Sequence, residues 1–113
     1  MFDLEALSSA KKSAEGNYEK LAGDFNEEYN LALHYLKEFT ESQNEAKLKQ
    51  AAAQFFKAVK CKRSRIEPYL YLSYIFYLFD EGSLALEYLG IAKSIDPENA
   101  RLQDLQKLLK NQQ

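Results

Sequence analysis

Apolar residues return every three or four positions along almost the whole chain, which is the spacing of one face of an α-helix. No stretch alternates between apolar and polar residues with a period of two, so we expect an all-α protein with five or six helices and no sheet. The pattern leaves open whether Gly23-Asp24 divides the second segment into two helices. The segments with helical spacing are 3–15, 18–40, 46–60, 68–79, 84–95 and 100–110.

Residues with known preferences for helix ends suggest where these helices begin. Pro68 suits a first helical turn, where its missing N–H would have no partner in any case. Asp96 is predicted to cap the last helix, with Pro97 as its first residue. The polar residues 41–45 are predicted to form a turn.

Residues 66–99 form a unit of two predicted helices in which residue size follows a fixed order. The first helix carries a large residue, a leucine–small pair and an aromatic residue; the second carries small, large and small residues before a proline. These positions hold Tyr69, Leu72, Ser73, Phe76, Ala85, Leu89, Ala92 and Pro97. The order and the length of 34 residues resemble the tetratricopeptide repeat. The unit departs from the family where Tyr69 replaces a tryptophan and Asp80-Glu81-Gly82 replaces the usual turn.

A second, degenerate copy of the unit is visible upstream, over about residues 27–62. Ala51, Phe55 and Ala58 repeat the small–large–small order. The resemblance implies a short solenoid of helix-turn-helix units with a C-terminal capping helix, forming one domain over residues 1–113. Its parts would be an N-terminal helical segment 1–26, the degenerate repeat 27–65, the clear repeat 66–99 and the capping helix 100–113.

The helix predicted over 69–79 is apolar on all sides. At about 100° per residue, its side chains fall on three sides of the helix. The first side holds Tyr69, Leu72, Ser73 and Phe76, and the resemblance implies that it meets the paired helix, with small Ser73 close to Ala85. The second holds Tyr71, Ile75 and Phe79 and would meet a neighbouring repeat. The third holds Leu70, Tyr74 and Tyr77.

The resemblance implies that the third side lines a concave groove, together with Leu33 and Lys37 of the earlier helix. Tyrosines offer contact area and a hydroxyl, which favours a protein or peptide partner carrying apolar or aromatic residues. Related repeats that grip C-terminal tails use Lys and Asn where this chain has Leu70 and Tyr74. We therefore expect a non-catalytic interaction module, as an adaptor, a chaperone-like holder or an assembly subunit. The alternative is a purely structural bundle in which another segment covers this face as core.

A basic segment raises a second alternative, a helical protein that binds nucleic acid. The residues concerned are Lys57, Lys60, Lys62, Arg63 and Arg65. They could contact phosphates, or they could be favoured simply because cations are stabilised at a helix C-terminus. The net charge of -2 argues against nucleic acid as the partner.

The residues that catalysis and metal binding need are scarce. His34 and Cys61 are the only histidine and cysteine, and no phosphate-binding loop or nucleophile elbow is visible. We expect no enzymatic activity and no cofactor.

The sequence also predicts the cellular location and the oligomeric state. No secretory signal pattern is visible, and the apolar run at 69–79 is too short to cross a bilayer. We expect a cytoplasmic protein without membrane insertion. Because the apolar pattern is weaker near the N-terminus, we also expect an open edge there and self-association into a homodimer.

Overall fold

The described part of the chain, residues 24–110 of a computed structural model, consists of helices and short connections. Helices account for 83% of these residues, and none of them is in a strand. The all-α prediction is confirmed. The helices are α1 (Phe25–Ser42), α2 (Glu45–Cys61), α3 (Glu67–Leu78), α4 (Gly82–Ile95) and α5 (Ala100–Lys110). The helix predicted over 3–15 lies outside the described residues.

These helices divide into two compact units, one ending at residue 63 and the other beginning at residue 64. The first contains α1 and α2, and the second contains α3, α4 and α5. The solenoid arrangement and the single domain over 1–113 stay predictions.

In the first unit, side-chain caps decide where the helices start. Asp24 caps α1 by accepting a hydrogen bond from the Asn26 N–H at 2.9 Å, so α1 begins immediately after Gly23-Asp24. Asn44 caps α2 in the same way through the Ala46 N–H. Gln43 ends α1 in a left-handed conformation and donates its N–H to the Phe39 carbonyl. The connection is therefore Gln43-Asn44, shorter than the turn predicted over 41–45.

The first unit buries one face of each helix. Tyr29 joins them, because its ring stacks on Phe25 at 5.5 Å and meets the edge of Phe55 at 6.0 Å. On α2, the small–large–small residues Ala51, Phe55 and Ala58 are buried, and Val59 is half-buried. The buried residues are Phe25, Ala32, Leu48, Ala51, Ala52, Phe55, Phe56 and Ala58.

In the second unit, α3 and α4 form a close hairpin. Ser73 is completely buried, and its hydroxyl donates to the Ala85 carbonyl oxygen at 2.6 Å. One helical turn further along, the rings of Phe76 and Tyr88 stack with their centres 5.2 Å apart. The predicted close approach of Ser73 and Ala85 is confirmed. Pro68 lies in the first turn of α3, also as predicted.

The turn between α3 and α4 is closed by a pair of backbone hydrogen bonds. The Asp80 N–H bonds to the Tyr77 carbonyl, and the Glu81 N–H bonds to the Phe76 carbonyl. This is the Schellman pattern of a helix C-terminus, and it requires a left-handed residue, here Asp80 with φ 62°. The turn is tight enough for α4 to begin at Gly82, two residues before the predicted start.

The prediction that Asp96 caps the last helix is wrong. Asp96 ends α4, because its N–H bonds to the Ala92 carbonyl. Its carboxylate accepts the Glu98 N–H at 3.2 Å, within the turn that follows α4. Asn99 caps α5 instead, because its side-chain oxygen accepts the Leu102 N–H at 3.1 Å. From there α5 lies against α3 and α4 and buries Leu102, Leu105 and Leu109, while Leu108 is half-buried.

Candidate functional site

A cavity of about 200 Å³ opens to solvent between α3 and α5 of the second unit. We call it the α3–α5 cavity. The described residues that line it are Glu67, Leu70, Tyr71, Tyr74, Arg101 and Leu105.

Each helix contributes one stripe to this cavity. The α3 residues Glu67, Leu70, Tyr71 and Tyr74 are three, four and seven positions apart, so they lie on one face. On α5, Arg101 and Leu105 are separated by one helical turn. Among the described residues, all lining positions of the cavity therefore belong to these two helices.

Burial differs between the floor and the rim of the cavity. Leu70 and Leu105 are 7% and 9% exposed, so they form an apolar floor. Tyr71 is half-buried along the wall, and Tyr74, at 37% exposure, lies at the opening. The cavity therefore combines buried apolar side chains with an exposed tyrosine.

The charged residues of the cavity differ in how they are paired. Glu67 accepts a hydrogen bond from the Arg65 guanidinium at 3.1 Å. Arg101 is exposed and makes no side-chain hydrogen bond or ion pair with any of residues 24–110. The rim therefore carries one acid that is already paired and one cation that is available to a ligand.

The structure brings together only part of the predicted groove. Leu70 and Tyr74 line the cavity, as a groove position requires. Tyr77 does not line it, but its ring stacks on Tyr74 with 6.2 Å between centres and so supports that side chain. Leu33, which is half-buried, and Lys37, which is exposed, lie on α1 in the other unit. Their place in a groove stays a prediction.

Sequence reasoning missed four lining residues. Tyr71 is predicted to face a neighbouring repeat, and Arg101 and Leu105 belong to the helix predicted only to cap the last repeat. Glu67 was assigned no role. The two missed α3 residues could have been predicted from helical spacing, because they continue the stripe of the two predicted ones. The stripe consists of Glu67, Leu70, Tyr71 and Tyr74.

The basic residues occupy positions of unequal exposure. Lys57 and Lys60 are half-buried on α2, whereas Lys62 and Arg63 are exposed just after it. Arg65 belongs to the second unit, where it pairs with Glu67. The end of α2 also places Lys60 where cations are favoured by the helix dipole. Nucleic-acid binding by this segment stays a prediction.

A group of polar side chains forms a network on the surface of α1 and α2. The Glu38 carboxylate lies 3.1 Å from Nε2 of His34 and 3.6 Å from the Lys47 ammonium, which also lies over the Tyr35 ring. Within residues 24–110, no three His, Cys, Asp or Glu side chains are grouped so that they could hold a metal ion. In the same range, every helix is too short or too polar to span a lipid bilayer.

Comparisons with known proteins do not assign the chain to a family. No family model matches it, and neither the curated proteins nor the solved structures contain a match. The resemblance to tetratricopeptide repeats therefore rests on the residue order in 66–99 and in the degenerate copy over about 27–62.

Proposed function

We propose that this protein is a non-catalytic protein–protein interaction module, an adaptor or assembly subunit, that binds a peptide or helix of its partner at the α3–α5 cavity. The observation that carries the proposal is the cavity itself. It combines an apolar floor of two leucines with two tyrosines and opens to solvent beside exposed Tyr74. A buried aromatic anchor in such a pocket is the usual centre of a protein–protein interface.

The volume of the cavity indicates what it would accept. A dry apolar cavity of about 150 Å³ in another protein binds benzene. At about 200 Å³, the α3–α5 cavity is therefore large enough for one aromatic or branched apolar side chain. The remaining contacts of a peptide would lie on the exposed surfaces of α3 and α5.

The cavity is supported by side chains that are already fixed. Ser73 bonds to the Ala85 carbonyl, and Phe76 stacks on Tyr88 on the opposite side of α3. Leu102 of α5 is completely buried. Because the first two contacts hold α3 against α4, and α5 packs on both helices, little ordering of the site opposes binding.

A selection from a random peptide library tests the proposal. Peptides that bind the full chain would be titrated against the wild type, Tyr74→Ala and the control Leu86→Ala. Tyr74 lines the cavity, whereas Leu86 is an apolar side chain of similar exposure, 41%, on α4 outside it. We expect affinity to fall by about tenfold or more in Tyr74→Ala and by less than about twofold in Leu86→Ala.

Two outcomes would overturn this function. One is a selection that yields no peptide with a large apolar residue. The other is a set of peptides that bind Tyr74→Ala as tightly as the wild type.

A further inference from the structure

Positive and negative side chains are distributed unequally around the α3–α5 cavity, and this distribution favours some ligand charges over others. Helix α5 carries three cations, Arg101, Lys107 and Lys110, and a single acid, Asp104. Residues 66–99 carry six acids and only one base, Lys93. A negatively charged ligand group is therefore favoured near α5, where cations outnumber acids, over the acidic stretch that precedes it.

We propose that the partner segment carries an acidic side chain beside the apolar or aromatic side chain that fills the cavity, and that Arg101 binds this carboxylate. This inference rests on the proposed function and adds the chemistry of its partner. Arg101 lines the cavity and has no partner among the described residues. Its guanidinium can hold a carboxylate through two parallel hydrogen bonds.

The other charged residue of the rim does not compete for this role. The Glu67 carboxylate accepts from Arg65 at 3.1 Å, so part of its charge is already compensated within the protein. A ligand carboxylate would meet Arg101 without facing an unpaired acid across the opening. A ligand cation, in contrast, would have to compete with Arg65 for Glu67.

The positions on α5 also set the spacing in the partner. Arg101 lies four residues before Leu105, which at 1.5 Å per residue is about 6 Å along the helix axis. An acidic side chain at that distance from the anchor is about two residues away in an extended peptide. In a helical peptide it is one turn away, at three or four positions.

The test uses library peptides with an amidated C-terminus, so that side chains supply the only carboxylates. We expect peptides selected on the wild type to carry Asp or Glu at these spacings from the anchor. Selection on Arg101→Gln should lose this enrichment. Lys107→Gln, which removes an exposed cation of the same helix outside the cavity, should keep it.

A double-mutant cycle then measures the coupling free energy between Arg101 and the acidic side chain of the peptide. For the tightest peptide, we expect replacement of its acid by the amide to weaken binding about fivefold at low salt. The same replacement should have almost no effect on binding to Arg101→Gln, and the fivefold difference should shrink at high salt.

The outcomes separate the inference from the function on which it rests. Peptides with an apolar anchor and no acidic enrichment, or a cycle that shows no coupling to Arg101, would overturn the inference and leave the interaction module standing. A selection without anchored peptides would overturn both.

Discussion

At the scale of single residues, exposure separates Tyr74 from the aromatic residues around it. Tyr74 is 37% exposed and contacts Tyr77 at the surface, whereas Phe76 is 3% exposed and stacks on Tyr88 between α3 and α4. Two aromatic residues only two positions apart on one helix therefore belong to different environments. Their replacement should have different costs.

We expect Tyr74→Ala to lower the free energy of unfolding by less than about 1 kcal/mol, because little buried surface is lost. Phe76→Ala should cost about 3–5 kcal/mol, because it leaves a cavity in the core. Urea unfolding of the wild type and both variants measures these losses in the free energy of unfolding. Equal losses would place Tyr74 in the core and remove it from the binding site.

At the scale of elements, the contact between α3 and α4 depends on small side chains. Ala85 is completely buried and its carbonyl accepts the Ser73 hydroxyl at 2.6 Å, so there is no room for a larger side chain. We expect Ala85→Leu to destabilise the protein by about 1–3 kcal/mol through overpacking. Ala46→Leu, at an exposed position of α2, should change stability by less than about 0.5 kcal/mol. Thermal unfolding compares them, and a neutral Ala85→Leu would show that the repeat register is wrong.

The turn after α3 supports the prediction of a substitution that raises, rather than lowers, the free energy of unfolding. Asp80 adopts a left-handed conformation with φ 62°, which costs free energy for any residue with a Cβ. Glycine reaches this conformation without that cost, so we expect Asp80→Gly to raise the free energy of unfolding by about 0.5–1 kcal/mol. Asp80→Ala should lower it. If Asp80→Gly proved no more stable than the wild type in urea, the left-handed turn would be contradicted.

Some of these elements could be predicted from the sequence, and the reason is periodicity. The helical spacing over 100–110 predicted α5, and the size order in 66–99 predicted the contact between Ser73 and Ala85. The start of α5 could not be predicted in the same way. Asp96 and Asn99 are equally good capping residues, and only the turn that follows α4 decides between them.

The candidate site was predictable only in part, because it depends on two helices at once. Helical spacing on α3 identified Leu70 and Tyr74 as residues left over after the contact sides were filled. It could not show that Tyr71 and Arg101 line the same cavity, since that depends on where α5 lies across α3. A one-dimensional pattern contains no information on that crossing.

At the scale of the whole molecule, we expect self-association at micromolar concentration. Short helical repeat arrays leave apolar surface uncovered at their ends. The described residues expose five large apolar side chains, which are Leu31, Tyr74, Leu78, Leu86 and Ile91. Light scattering should report a mass above 13.1 kDa. A soluble monomer of 13.1 kDa that unfolds cooperatively would contradict this expectation.

The central claim is that this protein binds its partner at the α3–α5 cavity, and mapping a bound peptide by backbone-amide NMR tests it most directly. The isotope-labelled full chain would be titrated with the tightest peptide from the library. We expect the largest shift changes at Leu70, Tyr71, Tyr74, Arg101 and Leu105, which line the cavity. Changes concentrated instead on α1 and α2, or around Leu86 and Ile91 on α4, would contradict the claim.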